Sequence, residues 1–114
     1  MLAKISSAVA EESNINTSVD LPRSFSLEQN YPNPFNPQTE IRFQIPEASH
    51  VVVRIFNVIG EEIRTLVNSP YEAGYHGVRW NGKDNRGNDV ASGVYLYQIH
   101  AGEFSQVLKM SLLR

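Results

Sequence analysis

The chain contains no cysteine among its 114 residues, so no disulfide can cross-link the fold and thiolate chemistry is excluded. It also lacks an excess of either charge, because ten basic residues stand against twelve acidic ones. A net charge of −2 predicts no electrostatic capture of nucleic acid or of anionic lipid. No apolar run approaches the roughly 20 residues of a membrane-spanning helix, and we therefore expect no membrane insertion.

Recognisable motifs for catalysis are absent as well. The three histidines, His50, His76 and His100, are isolated from one another, and no serine lies in a Gly-x-Ser-x-Gly motif. Residues 84–89 carry carboxylates and amides that could bind Ca²⁺, but their spacing is not that of an EF-hand and Arg86 adds a positive charge. We interpret this run as a turn built by Asn, Asp and Gly. The sequence therefore predicts no enzyme, no metal site and no cofactor.

Apolar and polar residues alternate along much of the chain with the period of a β-strand. In residues 39–45, for example, Ile41, Phe43 and Ile45 are separated by polar side chains. The same reading predicts short strands over residues 25–27, 39–45, 50–58, 62–67, 75–80, 94–101 and 104–113. About seven short strands divided by Gly, Asn and Pro turns, with no long helix, favour an all-β sandwich.

The alternation also predicts which side chains form the core. The expected buried set is Ile41, Phe43, Val53, Ile55, Trp80 and Val94. Trp80 could instead serve as a platform for a sugar, but a single Trp within a strand is more often part of a core. Between Pro32 and Pro37 the prolines predict a rigid extended or turn segment, and Tyr31 and Phe35 are its expected anchors.

Residues 1–24 differ from the rest of the chain. Beyond one short helical stretch at residues 8–12, residues 13–18 carry small polar side chains without periodicity, and such a segment cannot bury enough apolar surface to offset its ordering entropy. We interpret residues 1–24 as a linker or the remnant of an upstream domain, and residues 25–114 as the folded domain. The first residues show no pattern of a secretory signal, so a signal of a secreted parent protein would lie upstream.

Six motifs follow one another between residues 31 and 114. They are YPNPFNP (31–37), VRIFNVIG (53–60), AGYH (73–76), WNGKD (80–84), ASGVY (91–95) and KMSLLR (109–114). Each motif alone is weak, but six in order are specific. Residues 25–114 resemble the type A C-terminal sorting domain of the type IX (Por) secretion system. The stretch from Trp80 to Tyr95 is also similar to the immunoglobulin-like domain of flagellar hook-capping proteins.

The resemblance implies a seven-stranded immunoglobulin-like β-sandwich and a non-catalytic sorting function. Such a domain directs a secreted cargo, joined upstream, through the periplasm and across the outer membrane. An outer-membrane shuttle protein binds it, and a cell-surface sortase usually removes it, so the product is secreted or held at the cell surface. The resemblance places recognition by this machinery on Gly93, Tyr95, Lys109 and Arg114. Asn57 and Asn81 depart from the family pattern, which often has Asp at these positions.

Other functions stay open on the sequence alone. A carbohydrate-binding module of a secreted enzyme should expose several aromatics on one face, whereas most aromatics here are assigned inward or to turns. A structural immunoglobulin-like spacer could lie anywhere in a chain, whereas a sorting signal is expected to end it, as Arg114 does. The apolar last strand, flanked by Lys109 and Arg114, either offers its backbone edge to a partner by β-augmentation or is an ordinary edge strand guarded by charge.

Overall fold

The computed structural model describes residues 20–114 and folds them into two antiparallel β-sheets. The seven strands are β1 (Ser26–Leu27), β2 (Thr39–Ile45), β3 (Ser49–Phe56), β4 (Glu62–Tyr71), β5 (Gly74–Trp80), β6 (Gly93–Ala101) and β7 (Phe104–Leu112). One sheet has the strand order β1-β2-β5, and the other has the order β4-β3-β6-β7. The predicted all-β, immunoglobulin-like sandwich of about seven strands is therefore confirmed.

Residues 1–19, and with them most of the predicted linker, lie outside the described residues, so the boundary near residue 25 stays a prediction. From residue 20 onward, no helix has the length and apolar character needed to cross a membrane.

The core lies between the sheets and follows the two-residue period of the strands. Alternate residues of β2 and β3 are buried, as the sequence predicted, and Trp80 at the end of β5 is fully buried. In the four-stranded sheet, β6 and β7 add further buried residues beside those of β3. The most completely buried side chains are Trp80, Tyr97, Phe35, Phe43, Ile41, Ile45, Ile55, Ile99, Met110, Leu112, Val51 and Val53.

Two predicted core residues are exposed instead. Val94 is 43% exposed, because β6 turns its other face, with Tyr95, Tyr97 and Ile99, toward the core. Tyr31 is 81% exposed, because a β-bridge pairs it with Glu40, and directly opposed residues of two strands share one face of a sheet. The other anchor of the proline-rich segment, Phe35, is buried as predicted.

Strand β4 is longer than the sequence predicted. Residues 68–71 were expected to belong to a loop, but they pair in register with β3, from Val52↔Asn68 to Ser49↔Tyr71. Two register shifts interrupt the pairing of β3 and β4, between Val53 and Arg54 and between Ile55 and Phe56. These shifts weaken the alternation of β4, since an unpaired extra residue moves the following side chains to the other face.

A buried polar cluster lies where β1 continues toward the proline-rich segment. The register of Leu27↔Phe43 differs by one residue from that of Tyr31↔Glu40, so the chain bulges between them. In this bulge the backbone amide of Asn30 donates to the Tyr97 hydroxyl at 2.8 Å, and that hydroxyl donates to the Glu28 carbonyl at 2.7 Å. The two buried polar residues, Asn30 and Thr39, thus both have partners, since the side-chain amide of Asn30 donates to the Thr39 hydroxyl at 2.9 Å.

Candidate functional site

The four residues that the resemblance assigns to recognition lie on β6, on β7 and just beyond β7. The register pairs Gly93 with Leu112, Tyr95 with Met110 and Lys109 with Leu96. Gly93, Tyr95 and Lys109 therefore share one corner of the four-stranded sheet, and Arg114 follows from the end of β7. We call this region the C-terminal corner. Its geometry gives the four residues different roles.

Tyr95 is a core residue of the C-terminal corner. It is 7% exposed, its ring meets that of Trp80 edge-on with centroids 5.5 Å apart, and its hydroxyl donates to the Ala91 carbonyl at 2.7 Å. Burial raises the pKa of the Tyr95 phenol, and the positive charge of Arg114 opposes that rise. Tyr95 thus holds the segment that leads into β6.

Gly93 begins β6 with a φ of 155°, a conformation that L side chains rarely adopt. A Cβ at this position would meet no atom within 4 Å, so the demand for glycine comes from the backbone and not from crowding. Lys109, by contrast, is exposed, and its side chain lies beside Leu96 on the outer face of the sheet.

Arg114 folds back onto the connection between β5 and β6. Its guanidinium donates to the Gly82 carbonyl at 2.6 Å and to the Val90 carbonyl at 2.7 Å, and its backbone amide donates to the Ser92 hydroxyl at 2.9 Å. A Cβ at Gly82 would lie 2.7 Å from the Arg114 Nη2 atom, so the absence of a side chain makes room for the guanidinium. Arg114 therefore clamps the chain beyond β7 to this connection.

The connection clamped by Arg114 contains the predicted turn at residues 84–89. The Asp84 Oδ1 atom accepts hydrogen bonds from the backbone amides of Arg86 and Asn88, both at 2.9 Å, as an Asx-type turn requires. The Lys83 ammonium hydrogen-bonds the Asp89 carboxylate at 2.8 Å and lowers the pKa of Asp89, with a smaller contribution from the charge of Arg114. Within residues 20–114 no group of three or more His, Asp and Glu side chains is placed to hold a metal ion.

The proline-rich segment lies along the outer edge of β7 at its end. The Phe35 amide donates to the Ser111 carbonyl at 3.0 Å, the Leu113 amide donates to the Phe35 carbonyl at 2.9 Å, and the Ser111 amide donates to the Asn33 side chain at 3.0 Å. The Phe35 ring packs 5.6 Å from that of Trp80. The sequence analysis missed this contact. The sequence did hold one sign of this contact: Asn33 and Phe35 are two residues apart, which puts both on one side of an extended segment. No local pattern, however, identified β7 as the partner.

The earlier part of the outer edge of β7 is open. In an antiparallel pair, alternate residues direct their backbone groups away from the partner strand. Since Ser111 points away from β6, Ser105, Val107 and Lys109 do so too. The Lys109 carbonyl accepts from the Gln29 side chain at 2.8 Å, but among residues 20–114 no backbone or side-chain group bonds the outward groups of Ser105 and Val107. We call residues 105–109 the open edge.

Comparisons with known proteins identify relatives of this fold. Residues 30–103 match the model of the family described as the FlgD Ig-like domain. Among solved structures, dimeric latent PorU from Porphyromonas gingivalis superposes with a TM-score of 0.61 at 18% identity, over 75% of this chain and 9% of PorU. No curated protein sequence matches the chain.

A second solved structure is PorZ, described as an essential bacterial surface component of the type-IX secretion system of Porphyromonas gingivalis. It has a TM-score of 0.48 at 24% identity, over 79% of this chain and 11% of PorZ. The chain thus corresponds to only about a tenth of either protein. The family match and the likeness to PorU confirm the expected immunoglobulin-like domain related to that of hook-capping proteins.

Proposed function

The chain belongs to the FlgD Ig-like domain family, and we propose that it is a non-catalytic sorting signal that directs an upstream cargo domain across the outer membrane by type IX secretion. Its proposed partners are an outer-membrane shuttle protein, which binds it, and a cell-surface sortase, which removes it. The product is then secreted or held at the cell surface. No catalytic role is assigned to the chain.

The observation that carries the proposal is the open edge of β7. Its backbone donors and acceptors at Ser105 and Val107 form a short row of the kind that an added strand pairs with. The Val107 side chain, 47% exposed, offers an apolar contact beside that row, and Lys109 adds a positive charge at its end. A partner could therefore bind this strand through backbone hydrogen bonds and through contacts with the Val107 and Lys109 side chains.

The alternative, an edge strand guarded against pairing, fits β7 less well. Native edges are blocked by inward-pointing charges, prolines, bulges or covering segments. The only charge of the open edge is Lys109 at its end; residues 104–108 carry no charge and no proline, and β7 pairs with β6 without a register shift. The proline-rich segment covers only the end of β7, from Ser111 onward. The open edge is therefore left available where a partner strand would need it.

The packing of the C-terminal corner supports the proposal from a second side. The motifs that carry the resemblance are far apart in the sequence, yet Phe35, Trp80, Tyr95 and Arg114 meet at one end of the sandwich. These contacts hold the end of β7 in place. A recognition strand that is rigid before it meets its partner loses less conformational entropy on binding.

The test is export of a fluorescent protein that carries an N-terminal signal peptide and the full chain at its end, in a host with type IX secretion. The intact fusion should reach the cell surface or the medium. Val107→Pro removes an outward backbone donor without breaking a bond to β6, because the N–H of Val107 points away from that strand. We expect this fusion to remain in the periplasm.

The matched control is Val107→Ile, which keeps the backbone donor, the β-branched shape and the apolar contact, and it should be exported like the parent chain. Thermal unfolding of each purified chain must first show that both variants fold. Export of the folded Val107→Pro fusion at the parental level would refute recognition through the open edge. Retention of the intact fusion in the periplasm would refute the sorting function itself.

A further inference from the structure

The outer face of the three-stranded sheet carries two exposed tyrosines. Tyr31 is opposed by Glu40, and Glu40 is in turn opposed by Arg79, so these three form a row across the sheet. Tyr75, 59% exposed, is opposed by Gln44 on the same face. We call the face defined by Tyr31, Glu40, Arg42, Tyr75 and Arg79 the tyrosine platform.

The two tyrosines stand at opposite corners of the platform. Along β2, Glu40 and Gln44 are four residues apart, which is about 13 Å, and the outer strands are about 10 Å apart. The Cα atoms of Tyr31 and Tyr75 are therefore about 16 Å apart. Tyr31 is held in place by two backbone hydrogen bonds with Glu40, each 2.9 Å long. The face is thus a fixed surface with an aromatic ring at each end of its diagonal.

Tyr31 and Glu40 both line two grooves. One, of about 350 Å³, is lined by Glu28, Gln29, Tyr31, Glu40 and Arg42. The other, of about 210 Å³, is also lined by Gln38 and Arg79. In the middle of the platform Gly77 stands opposite Arg42, and the Glu40 side chain lies over it. The missing side chain of Gly77 leaves room for the Glu40 carboxylate.

The charges of the platform balance once Glu28, which lines the adjoining groove, is counted with them. Glu28 and Glu40 supply two carboxylates, Arg42 and Arg79 supply two guanidinium groups, and the Arg42 Nε atom lies 3.3 Å from the Glu40 Oε1 atom. A face without net charge gives no electrostatic advantage to a nucleic acid or to an anionic partner. Planar carboxylate, guanidinium and amide groups do, however, supply paired donors and acceptors that suit neighbouring hydroxyl groups.

We infer that the tyrosine platform is a binding site for a neutral oligosaccharide. The rings of Tyr31 and Tyr75 stack on the C–H faces of sugar rings, since an aromatic ring is an apolar surface with a polar tip. Arg42, Glu40 and Arg79, which lie between them, hydrogen-bond the sugar hydroxyls. The site is on the opposite sheet from the open edge of β7 and does not depend on the sorting function.

The test is an NMR titration of the full chain, labelled with ¹⁵N, with three neutral probes: cellohexaose, xylohexaose and maltohexaose. At least one probe should shift the amides around Tyr31, Arg42, Tyr75 and Gly77. Tyr31→Ala should weaken its binding about tenfold, because the ring supplies a main stacking surface. The control, His100→Ala, removes an exposed ring from the outer face of the four-stranded sheet and should leave the affinity unchanged.

A second variant tests the site without removing a ring. A Cβ at Gly77 would lie within contact distance of the Glu40 carboxylate, so Gly77→Ala should move that carboxylate out of place and weaken binding while the domain stays folded. Absence of any shift with all three probes up to about 10 mM would overturn the proposal. It would equally be overturned by shifts confined to the four-stranded sheet, or by parental affinity of the Tyr31→Ala chain.

Discussion

At the scale of single residues, Tyr97 connects the two sheets through its hydroxyl group. The ring is fully buried, and the hydroxyl links the Glu28 carbonyl and the Asn30 amide, which the bulge after β1 turns inward. Burial raises the pKa of Tyr97 from 10.0 to about 12, because it disfavours the phenolate, while the hydrogen bond from the Asn30 amide acts in the opposite direction. The sequence gives no sign of this role, since Tyr97 is one of several aromatics in β6.

This pKa predicts a loss of stability in alkali. In the unfolded chain Tyr97 ionises near pH 10, whereas in the folded protein it stays protonated to about pH 12. The folded state therefore holds more protons between these values, and its free energy of unfolding should fall by about 2 kcal/mol as the pH rises from 10 to 12. Below pH 10 the contribution of Tyr97 is fully present. Urea denaturation at a series of pH values measures the fall.

The control for this prediction is Tyr97→Phe. Losing the hydroxyl leaves the Asn30 amide without that partner, so the variant should be destabilised by about 1–3 kcal/mol at pH 7. It should also lose less stability than the parent between pH 10 and pH 12. Parallel pH curves for the two chains would mean that other groups, and not Tyr97, determine the alkaline loss.

At the scale of elements, the end of β7 is held from two directions. The proline-rich segment bonds its outer edge, and Arg114 ties the following chain to the connection between β5 and β6. Arg114, which the resemblance assigned to recognition, is thus engaged within the domain together with the end of β7. The open edge, residues 105–109, is the part of β7 that remains accessible.

Arg114→Ala should loosen this end of β7. The variant loses two charge-assisted hydrogen bonds at a partly exposed site, so we expect a loss of about 1–2 kcal/mol in the free energy of unfolding. Hydrogen exchange at the amides of Phe35 and Leu113 should accelerate more than exchange in the middle of β3. Arg114→Lys keeps the charge near Asp89 but lacks the planar fork that reaches both carbonyls. Its free energy of unfolding should therefore lie between that of the parent chain and that of Arg114→Ala.

An Arg114→Ala chain with parental exchange at Phe35 and Leu113 would show that the proline-rich segment alone holds the end of β7. That result would also favour the role that the resemblance gives Arg114, which is recognition by the secretion machinery.

At the scale of the whole molecule, Trp80 joins the two sheets. It ends β5 of the three-stranded sheet, yet its ring packs on Tyr95 of β6 and on Phe35. Its indole N–H donates to the Lys83 carbonyl at 2.8 Å, so the buried polar atom has a partner. The prediction that Trp80 is a core residue is confirmed, and its position lets one side chain pack against residues of both sheets.

Trp80→Ala should cost roughly 3–5 kcal/mol, as other truncations of large core aromatics do. This is a large share of the roughly 5–15 kcal/mol that stabilises an ordinary domain. Urea denaturation followed by far-ultraviolet circular dichroism measures the loss, and Trp80→Phe, which keeps a ring in the site, should lose less. A loss below about 1 kcal/mol for Trp80→Ala would contradict a joining role for Trp80, since a surface substitution costs as little.

The local pattern of the sequence determined the fold class of this protein and most of its strands. The period of two in β2 and β3 is a property of neighbouring residues, so it can be read without knowing any partner. The prolines, glycines and asparagines likewise restrict their own backbone and mark the turns. In β6, however, both faces carry apolar residues, and alternation alone could not decide between Val94 and Tyr95 for the core.

Only the tertiary structure decided how distant segments meet. The hydroxyl of Tyr97 bonds the Glu28 carbonyl across 69 positions, the Ser111 amide bonds Asn33 across 78, and Arg114 reaches Gly82 across 32. Closing a long loop costs only slightly more entropy than closing a shorter one, so separation in the sequence hardly restricts which segments pair. The packing of all the strands chooses among them, and it leaves Tyr31 on the surface, Phe35 against β7, and residues 105–109 as an open edge.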